Sequence, residues 1–201
     1  MKKFLMAIVA VLFAAPSFAQ MGSGGFTLSE STVYYGIRMG LNVSTITGDL
    51  VDADSKAGMT LGGVIGLRVS DTTPIFVESG LYYSGRGAKD FNLNYLEIPV
   101  LIKYGIEATD DIAVLPYIGP YFSYGIGGKY KDPTGKHSSY NFVKHPDMGF
   151  KLGCGVEYNK LYAELGYQFG VMNIAQDDAT YNPSDESCHT GNFFINVGVN
   201  F

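Results

Sequence analysis

The chain has 201 residues, 46% apolar but only 16% charged, with 26 Gly, 15 Tyr, 13 Phe and no Trp. An ordinary soluble domain carries about 25% charged residues and a disordered chain has few aromatics, so neither class fits. A mean hydropathy of +0.08 excludes a bundle of membrane helices, each of which needs about 20 consecutive apolar residues.

Residues 1–19 have the order of a secretory signal peptide: Lys2 and Lys3, an apolar run from Phe4 to Ala15, then Pro16 and the small-residue stretch Ser17-Phe18-Ala19. The run is too short to span a bilayer as a helix. Cleavage after Ala19 leaves Gln20 rather than Cys first, which argues against a lipid anchor. It also lowers the basic count from 14 to 12 against 19 acids, moving the formal net charge from -5 to -7. An acidic exported chain is a poor nucleic-acid binder. Cys154 and Cys188 stand in no C-x-x-C or Cys/His spacing, so no metal or cofactor is expected, and two free thiols are favoured over a disulfide.

After a Gly/Ser-rich lead over residues 20–32, segments of period-two apolarity fill residues 33–201, the mark of strands with one apolar face. Val33 to Val43 sets Tyr35, Ile37, Met39 and Leu41 against Tyr34, Arg38 and Asn42. Gly58 to Val69 sets Met59, Leu61, Ile65 and Leu67 against Thr60 and Arg68, and Ile75 to Arg86 sets Val77, Leu81 and Tyr83 against Glu78, Tyr82 and Arg86. In the fourth segment Leu96, Ile98, Val100, Ile102 and Tyr104 oppose Tyr95, Glu97, Pro99, Leu101 and Lys103. The fifth opposes Ile118, Phe122, Tyr124 and Ile126 to Tyr117, Tyr121 and Ser123. The sixth opposes Met148, Phe150, Leu152, Cys154, Val156 and Tyr158 to Asp147, Lys151 and Glu157. The seventh runs from Leu161 to Val171 with Tyr162, Glu164 and Gln168 on its polar face, and the last from Phe193 to Phe201 with Phe194, Asn196 and Asn200.

The connections between them alternate in length: Ser44 to Ala57, Gly87 to Asn94, Gly127 to Pro146 and Met172 to Gly191 are the longer set, with shorter ones between. Long and short ends on opposite sides of an even-stranded meander distinguish an outer-membrane barrel from a soluble sandwich. The expectation is therefore an all-β, eight-stranded antiparallel up-and-down transmembrane β-barrel, since lipid tolerates strands only when they close without an edge. Tyr35, Tyr83, Tyr104, Tyr124 and Tyr158 near the ends of the apolar faces fit the interfacial girdles.

The polar faces assemble Arg38, Arg68, Arg86, Lys103 and Lys151 with Glu78, Glu97, Asp147, Glu157 and Glu164. These are expected to pair inside the barrel, because an unpaired buried charge costs several kcal/mol. Eight strands leave an interior that side chains fill, which argues against a general diffusion pore. Equal numbers of cations on the same face also favour a structural plug over a carboxylate acid/base site.

Tyr95-Leu96-Glu97-Ile98-Pro99-Val100-Leu101-Ile102-Lys103-Tyr104 resembles a motif of the PorT-like outer-membrane β-barrel proteins typical of Bacteroidetes. Gly36-Ile37-Arg38-Met39-Gly40-Leu41-Asn42 and Glu78-Ser79-Gly80-Leu81-Tyr82-Tyr83-Ser84-Gly85-Arg86 are similar to that family's first and third strands, and matches continue to Gly170-Val171-Met172-Asn173-Ile174. The resemblance implies an eight-stranded outer-membrane barrel. Gly166 departs from it, since the family implies an inward basic residue there, which puts the pairing of Glu164 in question. Some members are associated with export of surface proteins, a role that shared barrel motifs do not transfer.

Recognition is expected in the long connections. One carries Lys129, Lys131, Lys136 and Lys144, with His137 and His145; another carries Asp177, Asp178, Asp185 and Glu186; the first carries Asp49, Asp52 and Asp54. The basic loop either packs on its acidic neighbours or meets lipopolysaccharide phosphates or a surface protein while the Asp clusters hold a divalent cation. The expected role is a non-enzymatic barrel, with outer-membrane lipid as its surroundings and the barrel-assembly machinery as its partner in biogenesis. The alternatives are a lipid-modifying enzyme, for which His137-Ser138 is a weak signal, and a narrow channel. Phe201, an aromatic last residue on an alternating strand, resembles the signal that the assembly machinery reads.

Overall fold

The computed structural model describes residues 33–48, 55–70, 72–88, 91–109, 111–132, 135–138, 144–172 and 188–201, with only the backbone described at 46–48, 88, 91, 129–132, 135–138 and 188. The signal peptide and lead fall outside these residues. The long strands are β1 (Val33–Gly48), β2 (Lys56–Arg68), β3 (Ile75–Ala88), β4 (Phe91–Tyr104), β6 (Ile112–Gly127), β9 (Pro146–Tyr158), β10 (Leu161–Gly170) and β11 (Cys188–Asn200). Three four-residue strands, β5 (Ile106–Thr109), β7 (Lys129–Asp132) and β8 (Gly135–Ser138), sit in the connections. Every long strand pairs antiparallel with the next, and β11 returns to pair with β1. The fold is a closed eight-stranded antiparallel β-barrel.

Its stagger follows from the register. Stepping across direct partners from Val33 leads through Leu67, Val77, Ile102, Ile118, Leu152, Tyr167 and Phe193 to Val43, ten residues above the start on β1. Eight strands with that shear tilt by about 40° and enclose a backbone radius of about 8 Å. Inward side chains from opposite walls therefore meet near the axis.

All residues of the ring just traced belong to the outward face, which is apolar but for Ser79, whose hydroxyl donates to the Pro99 carbonyl at 2.8 Å. Among the described residues, no outward position between Val33 and Val43 or at the matching levels of the other strands carries Asp, Glu, Lys, Arg or His. At about 3.4 Å per residue and this tilt, the ten residues from Val33 to Val43 give a band about 25 Å tall, the height of a hydrocarbon layer. Aromatics flank it at both ends: Tyr35, Tyr104, Tyr158 and Phe201 beside the short turns, and Tyr83, Tyr124, Tyr167 and Phe193 beside the long connections, all outward and exposed. Cys154 lies on this outward face as a free thiol.

The strands reach further than their alternation indicates. The stretch expected as a connection from Gly87 to Asn94 is largely β3 and β4, paired as far as Ala88↔Phe91. The fifth long strand starts at Ile112, directly after the short connection expected from Glu107 to Asp111. Within the basic loop, β7 and β8 form a hairpin that meets β4 at Phe91↔Tyr130. The tightest turn, Asn159-Lys160, places Asn159 at φ 54°, a left-handed position that asparagine accepts readily and that hairpin turns require.

Candidate functional site

The interior holds four cations, Arg38, Arg86, Lys103 and Lys151, and five anions, Glu78, Glu97, Asp147, Glu157 and Glu164, each at most 5% exposed. Period-two alternation sends them inward, and the stagger sorts them into two tiers. The tier nearer the short turns centres on Glu78. Its carboxylate lies 2.8 Å from Lys103 Nζ and 3.7 Å from Arg38, and accepts a 2.7 Å bond from the Tyr34 hydroxyl. Arg38 donates to Asn200 at 2.6 Å, and Asn200 donates to Glu157 at 2.8 Å. The Arg38 guanidinium also sits 3.9 Å over the Tyr162 ring, a cation-π contact.

Glu164 belongs to the same tier and answers the question raised by Gly166. It accepts from Asn196 Nδ2 at 2.7 Å and from the Tyr162 hydroxyl at 3.2 Å. A side chain at Gly166 would run into the Phe194 ring and the Leu152 carbonyl. The expected basic residue has no room there, and neutral donors hold the carboxylate instead.

The second tier lies toward the long connections. Glu97 pairs with Arg86 and lies 3.4 Å from Lys151 Nζ, and Gln168 donates to it at 2.9 Å. Arg86 also reaches Asp147 at 3.5 Å, while Thr190 and Tyr121 donate to the Asp147 carboxylate at 3.1 and 3.3 Å. The Lys151 ammonium lies 5.0 Å from the Tyr82 ring and 4.3 Å from that of Phe194, the aromatics that separate the tiers. Below the first tier, Tyr34, Phe76, Ala113, Leu115 and Tyr162 pack as an apolar floor at the short-turn end.

Arg68 stands apart. It points inward from the last residue of β2, at the short-turn mouth, where it is half-buried and donates through Nε to the Ser70 carbonyl at 2.9 Å. The expected network of five against five is thus, among the described residues, four against five in the core with Arg68 at the rim. The neutral partners Tyr34, Tyr162, Gln168, Asn196 and Asn200 were not singled out from the sequence. They lie on the same inward parity as the charges, but their roles emerge only with the cross-barrel register.

The loop residues are placed less fully. Lys129, Lys131, Lys136 and His137 lie on β7 and β8, and their side chains fall outside the described residues, as do Asp49, Asp52, Asp54, Asp177, Asp178, Asp185 and Glu186. Lys144 is half-buried. His145 stacks on Tyr124 with ring centroids 5.4 Å apart, and its Nδ1 donates to the Gly125 carbonyl at 2.8 Å. Phe201 closes the seam, donating to the Tyr35 carbonyl at 2.7 Å and accepting from Tyr35 N–H at 3.3 Å. Among the described residues no three His, Cys, Asp or Glu side chains gather as metal ligands.

The family described as outer membrane protein beta-barrel domain matches residues 18–176. No curated protein sequence matches the chain. Among solved structures the chain is similar to Neisserial surface protein A, with a TM-score of 0.51 at 15% identity over 85% of this chain and 98% of that one. OprG from Pseudomonas aeruginosa aligns with a TM-score of 0.48 at 12% identity over 87% and 98%, and Ail of Yersinia pestis with 0.46 at 12% over 85% and 100%. At these identities the likeness is one of fold.

Proposed function

Because the chain belongs to the outer membrane protein β-barrel domain family, we propose that it acts as a non-enzymatic barrel of PorT-like type, closed to general diffusion. Its long connections face the cell exterior and serve envelope contacts or the secretion and assembly of surface proteins. The observation that carries this reading is the interior: two tiers of paired charge over an apolar floor leave the barrel's work to its ends. Lys129, Lys131, Lys136 and Lys144 supply the cations for lipopolysaccharide phosphates or an acidic partner surface. Residues 1–19 direct export and are removed, and 20–32 lead into the barrel.

Three measurements on the full chain test this. Purified protein in planar bilayers is expected to give no stable conductance, and reproducible channels would overturn the closed interior. In intact cells an impermeant amine reagent is expected to modify the loop lysines but not Lys160, which lies in the turn between β9 and β10. Modification of Lys160 alone would reverse the orientation. Recovery of the protein in the soluble periplasmic fraction would overturn its place in the membrane.

A further inference from the structure

At the short-turn end one strand outlasts its neighbour. β4 ends at Tyr104, and β5 carries the chain on from Ile106 to Thr109, past the Tyr104 girdle and out of the apolar band. β5 pairs with β6 at Ile106↔Val114, Glu107↔Ala113 and Thr109↔Ile112, with Ala108 as an extra residue. On its other side the wall has ended. The β3–β4 ladder stops at Ile75↔Tyr104, and β5 is the outermost strand of the sheet. All four of its residues are exposed.

Backbone alternation identifies the groups on that open side. Gly105 N–H donates to the Pro74 carbonyl at 2.7 Å, so the N–H and C=O of Gly105 face the β3 side, and those of Glu107, two residues on, face the same way. Pro74 has no N–H to return to the Gly105 carbonyl, and no residue of β3 lies opposite Glu107. The space beside them is a cavity of about 280 Å³ lined by Arg68, Pro74, Gly105 and Glu107. It lies where β3 would have continued. Arg68, held by its Nε bond to the Ser70 carbonyl, brings a guanidinium to this cavity. Arg68 is half-buried while Glu107 is exposed, so water screens the carboxylate more than the cation. An open strand edge is a template for another backbone, and a guanidinium beside it recognises a carboxylate.

We propose that the β5 edge receives an extended acidic segment of a periplasmic protein, which adds antiparallel as a further strand and sets a carboxylate against Arg68. The identity of the compartment rests on the short turns facing the periplasm, as in the function proposed above. A second copy does not suit this edge. In the same bilayer its β5 runs in the same direction and would meet the edge parallel, whereas the ladders on either side are antiparallel.

The test uses the full chain, purified and folded in detergent, where the edge is read whichever way the barrel faces; the amine labelling described above reads the orientation separately. Ala108 is replaced by the photo-reactive residue benzoylphenylalanine, and in a control protein Lys160 is replaced instead. The probe is the capped peptide acetyl-Thr-Val-Glu-Val-Thr-Val-amide. Irradiation is expected to attach it at position 108 and not at position 160. The same peptide N-methylated at every residue, which has no N–H to donate, is expected to give no adduct. Arg68→Gln, or the peptide with Gln for Glu, is expected to lower the yield several-fold. Absence of the adduct at position 108, equal labelling at the two positions, an equal yield from the N-methylated peptide or an unchanged yield in Arg68→Gln would each overturn the proposal. A covalent dimer or an intrachain link in place of the adduct would also overturn it and assign the edge to a second copy or to the chain itself. Glu107→Pro, which removes an edge N–H, is expected to abolish the adduct while its heat-dependent gel shift shows that it has folded; where it has not, the N-methylated peptide makes the same test on an unaltered edge.

Discussion

At Gly66 a Cβ would overlap the ring of Tyr34, at Gly62 the ring of Tyr82, and at Gly153 the hydroxyl end of Tyr117. All three are direct cross-strand pairs, so each inward tyrosine lies over a glycine of the neighbouring strand. A barrel of this radius holds long cations and phenols together because the residue beneath each ring has no side chain. Gly66→Ala is accordingly expected to cost about 1–3 kcal/mol through overpacking, whereas Gly127→Ala, where nothing lies within 4 Å, is expected to be neutral. Urea unfolding in detergent micelles checks both, and equal midpoints would refute the pairing of ring and glycine. Glu97 makes a different kind of demand. It faces Arg86 and Lys151 at once, so Glu97→Gln leaves two buried cations without their shared carboxylate, a loss of about 3–5 kcal/mol. Adding Lys151→Met is expected to recover part of that loss, and a double variant no more stable than Glu97→Gln alone would show that the cations do not depend on this carboxylate.

β10 shows how an element becomes legible. Its ten residues alternate between exposed and buried without interruption, because lipid meets one face and the filled interior the other. Where only one of those conditions holds, the pattern fades. Beyond the apolar band the outer face of a strand no longer meets hydrocarbon, so Gly87 and Asn92 read as loop although they belong to β3 and β4. Near the short turns Ala113 and Leu115 are inward but apolar, so the start of β6 is marked by the end of the short connection at Asp111 and not by polar and apolar alternation. The inward charges were legible residue by residue for the same reason as β10. Their partners were not, because Glu78 meets Tyr34 from β1 and Lys103 from β4, a conjunction set by a ten-residue shear that no single strand encodes. The apolar band itself yields a depth-dependent prediction. Ile195, at the middle of β11, is outward and 53% exposed, while Val69 follows β2 at the short-turn rim and is 56% exposed. Ile195→Arg is expected to destabilise folding into lipid vesicles by about 2–4 kcal/mol and Val69→Arg by about 0–1. Equal costs at the two sites would mean that the band does not mark the membrane.

Closure of the whole barrel depends on its first and last strands finding one another across the full length of the chain. The β1–β11 ladder runs from Gly36↔Asn200 to Gly48↔Cys188, and the pair of bonds between Tyr35 and Phe201 fastens its lower end. A seam left open would present unpaired N–H and C=O groups to hydrocarbon, which lipid cannot satisfy. Phe201 therefore has two separable parts: a backbone that completes the seam, and an exposed ring in the short-turn girdle. Phe201→Ala removes the ring and keeps the seam bonds. Deletion of Phe201 removes both. If the ring is the assembly signal, Phe201→Ala is expected to lower membrane levels in cells while purified protein refolds in detergent with its heat-dependent gel shift intact. Deletion is expected to lower membrane levels as well and also to weaken the refolded barrel, by about 0.5–1.5 kcal/mol for each bond lost. Normal membrane levels of Phe201→Ala would assign the terminal residue to the seam alone, and a deletion variant as stable as the parent would show that the barrel closes without it.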